Sequence, residues 1–128
     1  MGTQKNFPER RKDKRFKLKD PTFAVMYHSP TRIGRITDIS RSGLSFRYVK
    51  NGDSSKELNQ LDILKSDFRF YMDNVKAKTI SDFEIIDKTC IGSKEMRRRG
   101  IQFEALPKNQ ISQLEDFIQN YTWAEGLI

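Results

Sequence analysis

Two stretches of this chain bring together residue types that could do chemistry. The first, Arg10-Arg11-Lys12-Asp13-Lys14-Arg15, sets Arg11 and Arg15 four residues apart in a strongly basic run. The second is the polar turn Asp38-Ile39-Ser40-Arg41-Ser42-Gly43. A guanidinium is planar, permanently charged and presents paired donors that match a phosphate bidentately, which a lysine cannot do. An aspartate, a serine and a glycine in one turn offer an acceptor, a compact hydroxyl and a backbone without a Cβ. Anion binding is the chemistry these types suggest, with an ordinary aspartate-serine turn capping a hairpin as the plainer reading of the second stretch. The parts of an enzyme are missing. His28 is the only histidine, Cys90 the only cysteine, and no glycine-rich phosphate loop of either standard spacing occurs, so no catalytic residue and no metal ligand is assigned.

The formal charge of +7 is concentrated at one end of the chain. Residues 5 to 19 hold eight lysines and arginines against Glu9 and Asp13, a net +6, which leaves +1 for residues 20 to 128. A basic arm on a near-neutral domain suits an anionic ligand held where the two meet; a solvated tail is the alternative on charge alone. No apolar run is long enough to span a bilayer, and the N-terminus lacks the apolar stretch of a secretory signal, so a soluble cytoplasmic protein is expected.

The elements that must position these residues are read from hydrophobic spacing. Phe23, Val25 and Tyr27 alternate with Ala24, Met26 and His28 as a first strand. Arg32 to Ile39 reads as a second, with Ile33 and Ile39 on one face and Ile36 on the other, and Leu44, Phe46 and Tyr48 mark a third. Leu61, Ile63 and Leu64 form a short apolar entry to a polar turn. Phe68, Phe70 and Met72 then alternate with polar residues, Lys76 to Cys90 is the next candidate strand, and Arg98 to Leu106 the last. Five to six strands with short turns indicate a small barrel. Ile111, Leu114, Phe117, Ile118 and Tyr121 fall at helical spacing after Pro107, which suits a first helical position, and the stripe they form fits packing over the barrel's mouth.

With both motifs in order around these strands, the sequence resembles the PilZ domain. That family's signature is RxxxR followed by [D/N]xSxxG; Arg11 and Arg15 match the first part, Asp38, Ser40 and Gly43 the second, and Gly100-Ile101-Gln102-Phe103 resembles the family's late Gly-x-x-Phe strand. The resemblance covers residues 10 to about 121. It implies a mainly β fold: a six-stranded antiparallel split barrel over 20–128, a flexible basic arm over 1–19, and a C-terminal helix at about 107–122. It also implies a receptor for the bacterial second messenger cyclic diguanylate (c-di-GMP), without cofactor or metal; the low apolar content of residues 1 to 19 adds the expectation that the arm orders as ligand binds.

The implied ligand contacts are Arg10, Arg11, Arg15, Asp38, Ser40 and Gly43. The arginines can grip phosphate or stack on guanine, Asp38 can accept from the guanine Watson–Crick edge, and Ser40 can donate to phosphate. Gly43 offers positive φ and close backbone approach. Arg41, Ser42, Arg97, Arg99 and Gly100 are further candidates, although strand alternation aims Arg97 and Arg99 one way and Arg98 the other, and a solvated face is an equal alternative. Arg10, next to the signature, fits domains that take two stacked ligand molecules, so one or two per domain are expected. Two rival functions stand beside this one. A nucleic-acid-binding barrel would need exposed aromatics such as Phe46 or Tyr48, and a PilZ-like adaptor would act through protein contacts alone. A downstream protein partner is expected without being identified, and monomer and dimer are equally open.

Overall fold

The computed structural model describes residues 13–26, 32–50, 59–85 and 95–123. Six strands close into one antiparallel barrel. They are β2 (Thr22–Met26), β3 (Arg32–Ile39), β4 (Gly43–Val49), β5 (Gln60–Lys65), β6 (Tyr71–Ile85) and β7 (Met96–Phe103), hydrogen-bonded in the order β2-β3-β4-β7-β6-β5, with β5 returning to β2. A two-residue strand in the arm, β1 (Lys17–Leu18), precedes them; α1 (Lys108–Tyr121) and a second short strand, β8 (Thr122–Trp123), follow. The expected mainly β architecture with six antiparallel strands and one C-terminal helix is what the chain adopts.

Alternation explains which side chains fill the interior. Leu44, Phe46 and Tyr48 from β4 point inward with Ile101 of β7 and with Met72, Val75 and Ala77 of β6, all buried. Helix α1 seals one end: Leu114 and Phe117 are fully buried, and the Phe117 ring lies 4.5 Å from that of Phe70. Gln110 ties the helix to β6 by donating from Nε2 to the Asp73 carbonyl at 2.8 Å. Pro107 is extended and caps the helix from outside, one residue earlier than the helical position expected of it.

Three expectations from spacing are corrected. Leu61 to Leu64 belong to a strand of their own, and Tyr71 to Ile85 run as a single long strand, because β6 crosses from β5 to β7 through two register shifts. Phe68 is not part of an alternating strand: it sits in the β5–β6 turn at φ 62°, 78% exposed, where the Asp67 carboxylate accepts from the Arg69 amide and from Lys65. In β3, Ile36 and Ile39 are both interior and Ile33 is exposed, because a bulge at Thr37 shifts the alternation by one.

Within residues 13–19, expected in a flexible arm, Phe16 is bonded to the barrel and residues 17–19 to β8 and the end of α1. Phe16 exchanges two backbone hydrogen bonds with Ile39, at 2.9 and 3.1 Å. β1 pairs with β8, and the Lys19 amide donates to the Tyr121 carbonyl at 2.9 Å. Lys65, its side chain only 4% exposed, gathers this corner by pairing with Asp20 and Asp67 and lying over the Tyr121 ring. The chain is therefore hydrogen-bonded to the rest of the fold from Phe16 onward.

Candidate functional site

The bulge in β3 makes the site. A period of two counted from the interior Ile36 would aim Asp38 into the barrel. The extra residue, Thr37, held by its hydroxyl on the Ser45 carbonyl at 3.2 Å, turns Asp38 to the outer face opposite Ser45 instead. There the carboxylate, largely buried, receives two guanidiniums. Arg15 donates to Oδ1 at 2.8 Å and Arg98 to Oδ2 at 2.9 Å, and the same Arg15 nitrogen also reaches the Ser45 hydroxyl at 3.0 Å. Arg15 is brought there by its neighbour, since Phe16 is bonded to Ile39, the residue after Asp38. Its Nε is buried without a hydrogen-bond partner among the described residues, a donor with unused capacity.

The turn after Asp38 is held by its serine. Ser40 Oγ accepts from the amides of Ser42 and Gly43 at 3.1 and 3.2 Å, and the Ser40 amide donates to the Gly43 carbonyl at 2.8 Å. Ser40 is buried, so its hydroxyl closes the turn and does not stand ready as a free donor. Gly43 is extended, the first residue of β4, and needs no positive φ. What its missing Cβ allows is the approach of β7, for a Cβ would stand 2.1 Å from the Ile101 carbonyl oxygen. Arg41 is exposed and pairs with Glu115 of α1 at 3.0 Å, while Ser42 accepts from the Phe103 amide at 2.8 Å through its carbonyl. A cleft of about 480 Å³ lies between the arm, this turn and the helix, lined by Lys14, Phe16, Arg41 and Ile118 among others.

The arginine run of β7 divides as alternation requires, and the residue that meets Asp38 is Arg98, which the reading of the sequence left aside. Arg97 and Arg99 lie on the inward face near Tyr48. Arg97 donates to Asp82 and Glu95; Arg99 donates to Asp82 at 2.9 Å and to the Tyr48 hydroxyl at 3.2 Å, over whose ring it lies. The Tyr48 hydroxyl itself donates to Asp82 at 2.6 Å. Burial alone would raise the Asp82 carboxyl, but hydrogen bonds from Tyr48, Arg97 and Arg99 outweigh it and hold the group below the usual carboxylate range. Burial, then the Asp82 bond, pushes the Tyr48 hydroxyl up. Both arginines thus belong to an internal network away from Asp38. Gly100, opposite Ser45, lies beside the site, where a Cβ would meet the Ser81 hydroxyl at 2.6 Å. The signal that could have found Arg98 was available: its parity with Gly100 on one strand.

Arg10 and Arg11 lie outside the described residues, as do His28 and Cys90. Among the described residues no group of three or more potential metal ligands comes together. Phe46 and Tyr48, the aromatics a nucleic-acid surface would have used, are interior at 0% and 4% exposure.

No family model matches the sequence, and no curated protein does. Solved structures do share its fold. The crystal structure of YcgR in complex with c-di-GMP from Escherichia coli is 19% identical at a TM-score of 0.64, covering 86% of this chain and 45% of that one. The PilZ domain of YcgR with c-di-GMP, also from Escherichia coli, is 17% identical at 0.62, covering 87% and 90%. The MrkH–c-di-GMP complex from K. pneumonia is 16% identical at 0.67, covering 88% and 52%. This chain thus spans about half the length of YcgR and MrkH and nearly all of the isolated PilZ domain. At these identities the likeness establishes the fold, a PilZ-like barrel.

Proposed function

We propose that the chain is a PilZ-type receptor that binds c-di-GMP on the outer face around Asp38 and performs no catalysis. The observation that carries this reading is the meeting of Arg15 and Asp38, 23 residues apart in sequence, at 2.8 Å beside the serine-closed turn. The chemistry supports an exchange. A guanidinium presents two parallel N–H donors to a carboxylate, and the N1–H and N2–H edge of guanine presents a similar pair. Guanine can therefore take the place of an arginine on Asp38, freeing Arg15 to grip phosphate or to stack on the base, while its buried Nε gains an acceptor. Adenine lacks that donor pair, which gives guanine the preference.

Arg10 and Arg11 complete the clamp from the arm, and Ser40 and Gly43 act by fixing the turn. The neighbouring structures bound to c-di-GMP and the matched signature support the ligand's identity. A cytoplasmic adaptor that signals to a partner protein through its arm follows from the same reading; among the described residues no helix is long and apolar enough to cross a membrane.

Isothermal titration with c-di-GMP tests the proposal. The native chain is expected to bind, and Arg15→Ala to lose roughly 10- to 100-fold in affinity, the worth of one or two charge-assisted hydrogen bonds. The same curve reads whether one or two molecules bind. Absence of heat and of complex at tens of micromolar overturns the reading.

A further inference from the structure

The outer face holds more positive charge than the signature accounts for. The strand register sets Arg35 of β3 opposite Arg47 of β4, and Arg47 opposite Arg98 of β7, so three arginines form one row across the sheet. Directly opposed side chains stand about 5 Å apart at Cβ, and like charges at that distance repel. Such a row is an array of planar, multiply donating groups on one face, from which an anion lying across it could accept several hydrogen bonds at once. One end joins the site already described, because Arg98 is bonded to Asp38. Toward the other end, exposed Arg35 and half-buried Arg47 line a cleft of about 280 Å³ with Lys17 and Thr37, where Asp20 is the one acidic lining residue among the described residues. Aromatic residues flank the row: Phe23 is opposite Arg35, and Phe83, 51% exposed, is opposite Arg98.

We infer that Arg35, Arg47 and Arg98, with Lys17, form a second anion subsite that holds one phosphodiester of the guanine dinucleotide whose base sits on Asp38. The inference rests on the c-di-GMP reading and assigns residues outside the matched signature. Dimensions favour a single ligand bridging both places. Arg35 and Asp38 are three residues apart on one bulged strand, on the order of 10 Å at about 3.3 Å per residue, the span of a ring with two phosphodiesters and two bases. Three guanidinium forks in a row suit phosphate oxygens better than a lone carboxylate, which one fork would saturate.

The test is titration of the folded full chain with c-di-GMP at low and near-physiological salt, comparing native protein with Arg35→Gln, Arg47→Lys and, as control, Arg69→Gln, an exposed arginine of the β5–β6 turn that lines neither cleft. Arg35→Gln is expected to weaken binding about tenfold and to make it less sensitive to salt. Arg47→Lys, which keeps the charge and loses the fork, is expected to weaken it several-fold, and Arg69→Gln to bind as native. A native chain that binds alongside Arg35→Gln and Arg47→Lys variants of unchanged affinity overturns the subsite and leaves the c-di-GMP reading standing. No binding by the native chain overturns both. Loss of single-stranded RNA or DNA binding in Arg35→Gln, with c-di-GMP binding unaltered, would assign the row to a polynucleotide and overturn the subsite equally.

Discussion

Gly43 shows how a signature residue can work through the scaffold. Its place in the motif suggests room for a ligand, yet the neighbour a side chain would strike is the Ile101 carbonyl, 2.1 Å from a Cβ. Since β4 and β7 must approach there for Gly43 to pair with Gln102, alanine would force the strands apart beside Asp38. Gly43→Ala is expected to destabilise the fold by about 2 kcal/mol or more, in the manner of overpacked sites, and to weaken ligand binding indirectly. Thermal melts and titration of the same variant check this; a variant as stable as native would show that the pairing relaxes freely. Ser40 follows the same logic, its hydroxyl already taken by two amides of the turn.

Strands β4, β6 and β7 carry the charged network that shares the barrel interior. Asp82 accepts from Tyr48, Arg97 and Arg99, and its carboxyl is held below the usual range despite burial. A carboxyl whose pKa is lower folded than unfolded stabilises the fold above its unfolded value near 4, and that contribution is lost as pH falls through the folded value. Thermal stability of the native chain is therefore expected to drop steeply on acidification below about pH 4. Asp82→Asn is expected to melt lower at neutral pH, with Arg97 and Arg99 deprived of their shared carboxylate, and to show a shallower acid dependence. Melting temperatures at several pH values compare the two; parallel curves would remove Asp82 from the account.

For the molecule as a whole, the proposed function makes the arm the link between ligand and output. Phe16 is hydrogen-bonded to the barrel and Lys19 to the end of α1, so the proposed ordering on ligand binding is to be tested in the part of the arm that carries Arg10 and Arg11. Hydrogen exchange is expected to slow at residues 7–12 on saturation with c-di-GMP and to change little at Phe16 and Lys19. Unchanged exchange throughout residues 7–12 would sink the arm-ordering mechanism. A ligand at a hundredfold excess over its Kd is also expected to add about 2.7 kcal/mol to stability, readable as a rise in melting temperature.

Much of this was legible in the chain itself. Period-two alternation along the strand segments and helical spacing from Ile111 to Tyr121 were enough for a small barrel of five to six strands with a closing helix, and the two motifs singled out Arg15 and Asp38 without pairing them. Those signals are local, because side-chain direction repeats at short, fixed intervals along a strand or helix. What escaped depended on register. The bulge at Thr37 sends Asp38 outward, the shifts in β6 make one strand of two segments, and pairing across β3, β4 and β7 aligns Arg35, Arg47 and Arg98 while leaving Arg97 and Arg99 on Asp82. Register is decided by contacts between residues far apart in the chain, and one inserted residue reverses every face after it, so parity with Gly100 could put Arg98 on a face but only the closed barrel sets that face against the aspartate.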